Sequence, residues 1–134
     1  MNTDQLIEEA KNIREKAYTP YSKFKVGAAL LTKDGQLFTG CNIENAAYPV
    51  TCCAERVAIF KAISEGHYEF QSIAVVADTQ RPVPPCGSCR QVMSEFFEPE
   101  LEIHLTDLSG TIKTVTMAEL LPFSFSQEDL IDKE

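Results

Sequence analysis

The chain has 134 residues, 44% of them hydrophobic and 24% charged, which suits one compact core and leaves no room for a second domain. Twelve Lys and Arg against twenty Asp and Glu give a net charge of −8, so long nucleic acid and anionic membrane surfaces meet net repulsion. No stretch approaches the roughly 18 to 20 apolar residues of a membrane span. Residues 1–17 are acidic and helix-patterned rather than basic, then apolar, as in a secretory leader, so a cytoplasmic protein is expected.

Residues 3–17 carry Leu6, Ile7, Ala10, Ile13 and Ala17 at helical spacing behind Thr3, an expected N-cap, and predict an amphipathic surface helix. Thr19-Pro20-Tyr21-Ser22 breaks the pattern. Phe24 to Thr32 and Gln36 to Asn42 then read as antiparallel strands joined through Lys33-Asp34-Gly35, where Asp-Gly is a strong hairpin signal. Residues 53–64 form the next predicted helix, ended by Gly66; seven of the ten side chains from Ala54 to Ile63 are apolar and spread around the axis, so burial on several sides is expected. Ser72 to Asp78 is a short strand, Arg81 to Pro85 a proline-rich loop, and Cys86 to Phe97 a helix with Val92, Met93, Phe96 and Phe97 as its apolar positions. Glu102 to Thr106 and Thr111 to Val115 complete the strands. Met117 to Leu121 is a short helix stopped by Pro122, and Gln127 to Glu134 is charged enough to fray. Helices alternating with strands after an opening hairpin predict a single three-layer α/β/α domain over residues 1–134, with a mixed sheet of about five strands.

Five cysteines cannot all pair within one chain, and a reducing compartment keeps them as thiols or metal thiolates. Cys41 is expected to be a small buried hydrophobe. Cys53-Ala54-Glu55 and Pro85-Cys86-Gly87-Ser88-Cys89 both fall at predicted helix starts, where free amides and the positive end of the helix dipole favour thiolate, the form that binds zinc. Cys86 and Cys89 face the same way at i, i+3, and Cys53 from the neighbouring helix makes a third ligand. Three ligands leave a corner for water, which points to catalysis rather than to a closed structural site. His67, in the Gly66 turn, and His104, between Ile103 and Leu105, are both expected at the surface rather than on the metal. Glu55 is a carboxylate on an otherwise apolar helix; beside a metal-bound water it could move protons, whereas its bland alternative is a solvated side chain. Three thiolates and one divalent ion leave a charge of −1, which the guanidinium of Arg56 could offset, unless Arg56 is simply paired on the surface.

These motifs, with Tyr21 to Ala29, Gly40 to Tyr48 and Pro85 to Gln91, run through most of the chain, which resembles the cytidine/deoxycytidylate deaminase family in its small, three-cysteine zinc form. The resemblance implies a cytidine deaminase-like fold, one Zn2+ per subunit on Cys53, Cys86 and Cys89, and a homotetramer. It implies hydrolytic deamination of cytidine and 2′-deoxycytidine in pyrimidine salvage by a zinc-bound hydroxide, with Glu55 as proton shuttle. It makes Asn42 and Glu44 ribose contacts, though both could simply be turn-forming polar residues. It also assigns Phe24 and Ala54 to the substrate, and Phe125 as an aromatic supplied by a neighbouring subunit. The pattern departs from the family at Cys52: the residues alone would let Cys52 or Cys53 take the metal, and the family spacing implies Cys53. Rival readings are redox exchange at Cys86-Gly87-Ser88-Cys89, a structural zinc knot needing a fourth protein ligand, and a deaminase of the blasticidin S type.

Overall fold

The structure, a computed structural model, describes residues 1–130. Helix α1 (Thr3–Arg14) is capped by Asn2 rather than by Thr3: Asn2 Oδ1 accepts from the Gln5 amide at 2.8 Å, and Gln5 Oε1 accepts from the Asn2 amide at 2.9 Å. This reciprocal pair satisfies two otherwise free amides and contributes about 1 kcal/mol. The helix ends before the expected Ala17, because Lys16 and Ala17 bond back only three residues and tighten the last turn.

Strands β1 (Val26–Thr32) and β2 (Leu37–Cys41) form the expected antiparallel hairpin, with Gly35 at φ +89° in the turn. Helix α2 (Ala54–Ser64) follows, then β3 (Phe70–Ala77), α3 (Gly87–Phe96), β4 (Glu102–Thr106), β5 (Ile112–Thr116) and α4 (Met117–Leu120). The sheet order is β2-β1-β3-β4-β5, and β3 and β4 run parallel. A parallel pair needs a long crossover, which α3 supplies. No helix among the described residues is long and apolar enough to cross a membrane.

Because side chains alternate along a strand, β1 feeds both faces of the sheet. Ala29 and Leu31 pack with Ala74 and Val76 of β3 against Leu6, Ile7 and Ala10 of α1. Leu30, Ile73 and Ile103 pack on the other face with Ile59 of α2, Met93 of α3 and Leu120 of α4. The result is the expected three layers around a mixed five-stranded sheet. Two glycines allow the layers to touch: a Cβ on Gly27 would lie 2.0 Å from the Ala10 carbonyl oxygen, and one on Gly40 would lie 2.4 Å from that of Ala54. Burial holds this arrangement together, since the Lys33–Glu98 pair at 3.2 Å and the Arg14–Glu15 pair at 3.0 Å both involve exposed carboxylates and contribute little.

Three further expectations need correction. Helix α2 fully buries a single stripe within the chain (Ala54, Glu55, Ala58, Ile59 and Ala62), with Val57 and Ile63 half-buried beside it, and leaves Phe60 47% exposed. The tail does not fray from Gln127: residues Gln127–Asp129 form a 3-10 turn in which Asp129 Oδ2 accepts from the Ser126 amide at 2.9 Å, while residues 131–134 lie outside the described part. His104 is not at the surface. It does point away from Ile103 and Leu105, but the start of α1 covers that face, leaving it 4% exposed with Nδ1 2.9 Å from Thr114 Oγ1. His67 is half-buried against Phe38, with ring centroids 5.2 Å apart.

Burial holds the His104 imidazole below its ordinary pKa of 6.5, with Glu102 opposing the shift. The unfolded chain therefore takes up the proton first as pH falls, and stability is lost progressively below about pH 6.5. Urea unfolding of the parent and of His104→Gln at pH 8 and pH 5 checks this: the parent is expected to lose more stability between the two pH values than the variant, and equal losses would contradict it.

Candidate metal centre and substrate cavity

Cys53 is the N-cap of α2 and Cys86 the N-cap of α3, and neither makes a side-chain cap hydrogen bond. Cys89 sits one turn into α3 and is 1% exposed. Their three sulfurs lie within 4.8 Å of one another and form the only such group of potential ligands among the described residues. A tetrahedral zinc with Zn–S bonds of about 2.3 Å needs sulfurs about 3.8 Å apart, so the cage is formed to within about an ångström. The donors suit the ion: three soft sulfurs at two helix N-termini. The neighbouring Cys89 thiol, opposed by burial and helped by Arg56, lowers the Cys53 thiol to about 5, while the Cys89 thiol is raised by its Cys53 neighbour and by burial. No fourth residue joins the group among the described residues, which leaves a structural knot without its closing ligand.

Cys52 is excluded from the cluster by its backbone. It forms an antiparallel bridge with Ile43, each amide donating to the other's carbonyl at 2.9 Å, and burial raises its thiol above the ordinary value. Cys41 is buried at the end of β2, as expected. Arg56, on the first turn of α2, donates to Cys53 Sγ at 3.4 Å and to the Thr51 carbonyl at 3.4 Å.

A cavity of about 270 Å³ opens where β1 begins and β3 ends, and Cys53, Cys86 and Cys89 form part of its wall. Glu55 lines it while being 5% exposed, and burial pushes its carboxyl up to about 7. Ala54, Asn42 and Phe24 also line it, together with Val26, Val75, Ala77 and Pro84, which make it largely apolar. A mostly apolar hollow with a few convergent polar groups is the usual form of a small-molecule site.

Glu44 is not part of that wall, although Asn42 is. Glu44 lines an adjoining hollow of about 300 Å³ with Tyr21, Ser22, Tyr48 and Thr51, and Thr51 borders both spaces. Both side chains already serve the backbone. Asn42 Oδ1 accepts from the Val26 amide at 2.9 Å and its Nδ2 donates to the Phe24 carbonyl at 2.8 Å. Glu44 Oε1 accepts from the Tyr21 and Ser22 amides at 3.1 Å each, and Oε2 accepts from the Ser22 hydroxyl. That hydroxyl first, then the two amides, hold the Glu44 carboxyl below its ordinary pKa. Phe125 is 58% exposed and lies outside its own chain's cavity wall; its carbonyl accepts from Gln91 Nε2 at 3.0 Å.

Sequence reasoning did not single out Ser22, Thr51 or the apolar strand ends Val26, Val75 and Ala77. The strand ends look like any core positions, and Ser22 lies within Tyr21–Ala29 with nothing in the sequence to separate it from a turn residue.

Sulfur ligands on two neighbouring helix starts, beneath a crossover fold and next to a carboxylate that burial keeps near neutrality, are what a zinc-dependent deaminase requires. Comparison with known proteins agrees. Residues 1–104 match the model of the cytidine and deoxycytidylate deaminase zinc-binding region. The chain is 57% identical over 130 residues to a cytidine deaminase of Sporosarcina psychrophila, covering 97% of this chain and 96% of that one. It also superposes on the crystal structure of cytidine deaminase from Burkholderia pseudomallei with a TM-score of 0.91, at 53% identity, over 93% of this chain and 100% of that one. A blasticidin-S deaminase of Bacillus cereus is more distant, 33% identical over 114 residues, which are 79% of this chain and 80% of that one. The chain belongs to the cytidine and deoxycytidylate deaminase family.

Proposed function

We propose that the chain, as one deaminase domain, hydrolyses cytidine and 2′-deoxycytidine to the uracil nucleosides and ammonia, serving pyrimidine salvage in the cytoplasm. The observation that carries this reading is Glu55, a buried carboxylate in a nucleoside-sized apolar cavity beside three clustered sulfurs. Cys53, Cys86 and Cys89 hold one Zn2+ per subunit, which when bound supplies a Lewis acid that lowers the pKa of water toward neutrality.

Glu55 takes a proton from the attacking water and passes it to ring N3; it then carries the water's second proton to the exocyclic amine, which leaves as ammonia. Each proton collected is delivered, so the carboxylate is regenerated. Its pKa near 7 makes both the taking and the giving accessible. Arg56, bonded to Cys53 Sγ, offsets the excess negative charge of three thiolates. Phe24 offers its ring face to the pyrimidine, and Ala54, whose amide at the first position of α2 has no partner within the helix, is assigned to the base. Asn42 keeps one N–H and one lone pair free and Glu44 keeps an acceptor site on Oε2, so a sugar hydroxyl can accept from the amide and donate to the carboxylate.

Self-association fits the same reading. Tyr48, Val50, Phe60 and Phe125 are exposed apolar side chains, and a homotetramer would cover them while bringing Phe125 to a neighbour's cavity. Among the described residues no basic side chain lines either cavity, which suits an uncharged nucleoside over a polynucleotide.

The test is loss of ultraviolet absorbance when cytidine, 2′-deoxycytidine or blasticidin S is added separately to zinc-loaded protein. Turnover of both nucleosides is expected. Turnover of blasticidin S with none of cytidine would overturn the substrate assignment.

A further inference from the structure

The segment that carries Phe24 is not a regular element, yet several hydrogen bonds tie it to the Asn42–Glu44 segment. Tyr18 pairs with Ile43 in a parallel bridge: the Tyr18 amide donates to the Asn42 carbonyl at 3.0 Å and the Glu44 amide to the Tyr18 carbonyl at 2.9 Å. The chain then turns, with the Lys23 amide donating to the Thr19 carbonyl at 3.1 Å and Lys23 itself left-handed at φ +61°. An L-residue keeps that conformation only where its surroundings impose it. Ser22 sits at the centre of the imposing contacts. Its hydroxyl donates to Glu44 Oε2 and accepts from the Phe24 amide at 3.0 Å, while its own amide donates to Glu44 Oε1. On the far side, Asn42 Nδ2 holds the Phe24 carbonyl.

We propose that Ser22 is a positioning residue that joins Glu44 to the backbone of Phe24, so that the groups assigned to sugar and to base move as one unit. The inference rests on the substrate contacts proposed above for Glu44 and Phe24. Its chemistry is specific: a hydroxyl has one proton to give and lone pairs to receive, so one small side chain bonds a carboxylate and an amide at once. Alanine can do neither. Without the hydroxyl, Glu44 Oε2 loses the bond that aims its remaining acceptor site, and the Phe24 amide must turn to water. A sugar that binds Glu44 would then no longer help to seat the base.

The expected result for Ser22→Ala is a rise of about tenfold in KM for cytidine, the value of one hydrogen bond to a charged group, with kcat changed less than about threefold. Ser22→Thr, which keeps the hydroxyl, is expected to restore KM, and the two variants should unfold at the same temperature. In a Glu44→Ala background, Ser22→Ala should raise KM by much less than it does alone, because its partner is already gone. Unchanged KM in Ser22→Ala, failure of Ser22→Thr to restore it, or full additivity with Glu44→Ala overturns the link while leaving the sugar contact standing. Unchanged KM in Glu44→Ala would instead remove the sugar contact itself, and the link with it.

Discussion

Glu55→Gln is expected to lower kcat by about 10³- to 10⁴-fold, the range that a positioned proton-transfer group supplies. The substitution keeps the size and shape of the side chain and removes only its ability to exchange protons. Glu55 lies inside the core stripe of α2, between Ala54 and Ala58, so a smaller residue would also open a cavity and confuse the result. Gln avoids that. Zinc content and the affinity for a non-reacting nucleoside should stay within a few fold of the parent, since the three sulfurs and the walls formed by Phe24 and Asn42 are untouched. Near-normal turnover in a metal-replete Glu55→Gln protein would eliminate the proton-carrying role and leave the buried carboxylate without an explanation.

Cys53→Ser is expected to abolish both zinc binding and turnover, whereas Cys52→Ser should retain both. A cluster reduced from three sulfurs to two loses a ligand that also anchors the Arg56 guanidinium, so the two losses compound. Cys52 has its backbone tied to Ile43, and its sulfur is not one of the three that cluster. Metal per subunit, measured on protein purified without added zinc, reads the outcome directly. Zinc lost from Cys52→Ser and kept in Cys53→Ser would invert the ligand assignment.

Much of this arrangement was legible because the signals were local. Asp34-Gly35 specifies the β1–β2 hairpin, Gly66 at φ +90° ends α2, and cysteines spaced i, i+3 at a helix start share a face. What stayed hidden depends on which elements meet. The spacing could not separate Cys52 from Cys53; the fold puts the Cys53 sulfur in the three-sulfur group and ties the Cys52 backbone to Ile43, nine residues earlier. His104 read as a surface residue because nothing near it in the chain reveals that the start of α1 covers that strand face. Asn2 lost to Thr3 as the expected cap although Gln5 stood three residues on, where a reciprocal cap needs it. The apolar residues around α2 suggest burial on several sides, but the chain fully buries one stripe and leaves Phe60 open, because spacing alone does not tell which faces of a helix have a neighbour. Asn42 and Glu44 were recognised as a polar pair, but their work in bracing Tyr21, Ser22 and Phe24 emerges only once two distant segments are side by side.

Gly40 shows how finely the helix bearing Cys53 and Glu55 is set. With hydrogen in place of a side chain, β2 bears directly on the opening turn of α2, main chain to main chain, with no compliant group between them. The height of the sulfur and the carboxylate above the sheet is therefore machined into the skeleton rather than tuned by packing. A lone methyl at that contact acts as a shim, lifting both reactive groups together, and no repacking of neighbouring side chains could take it out again.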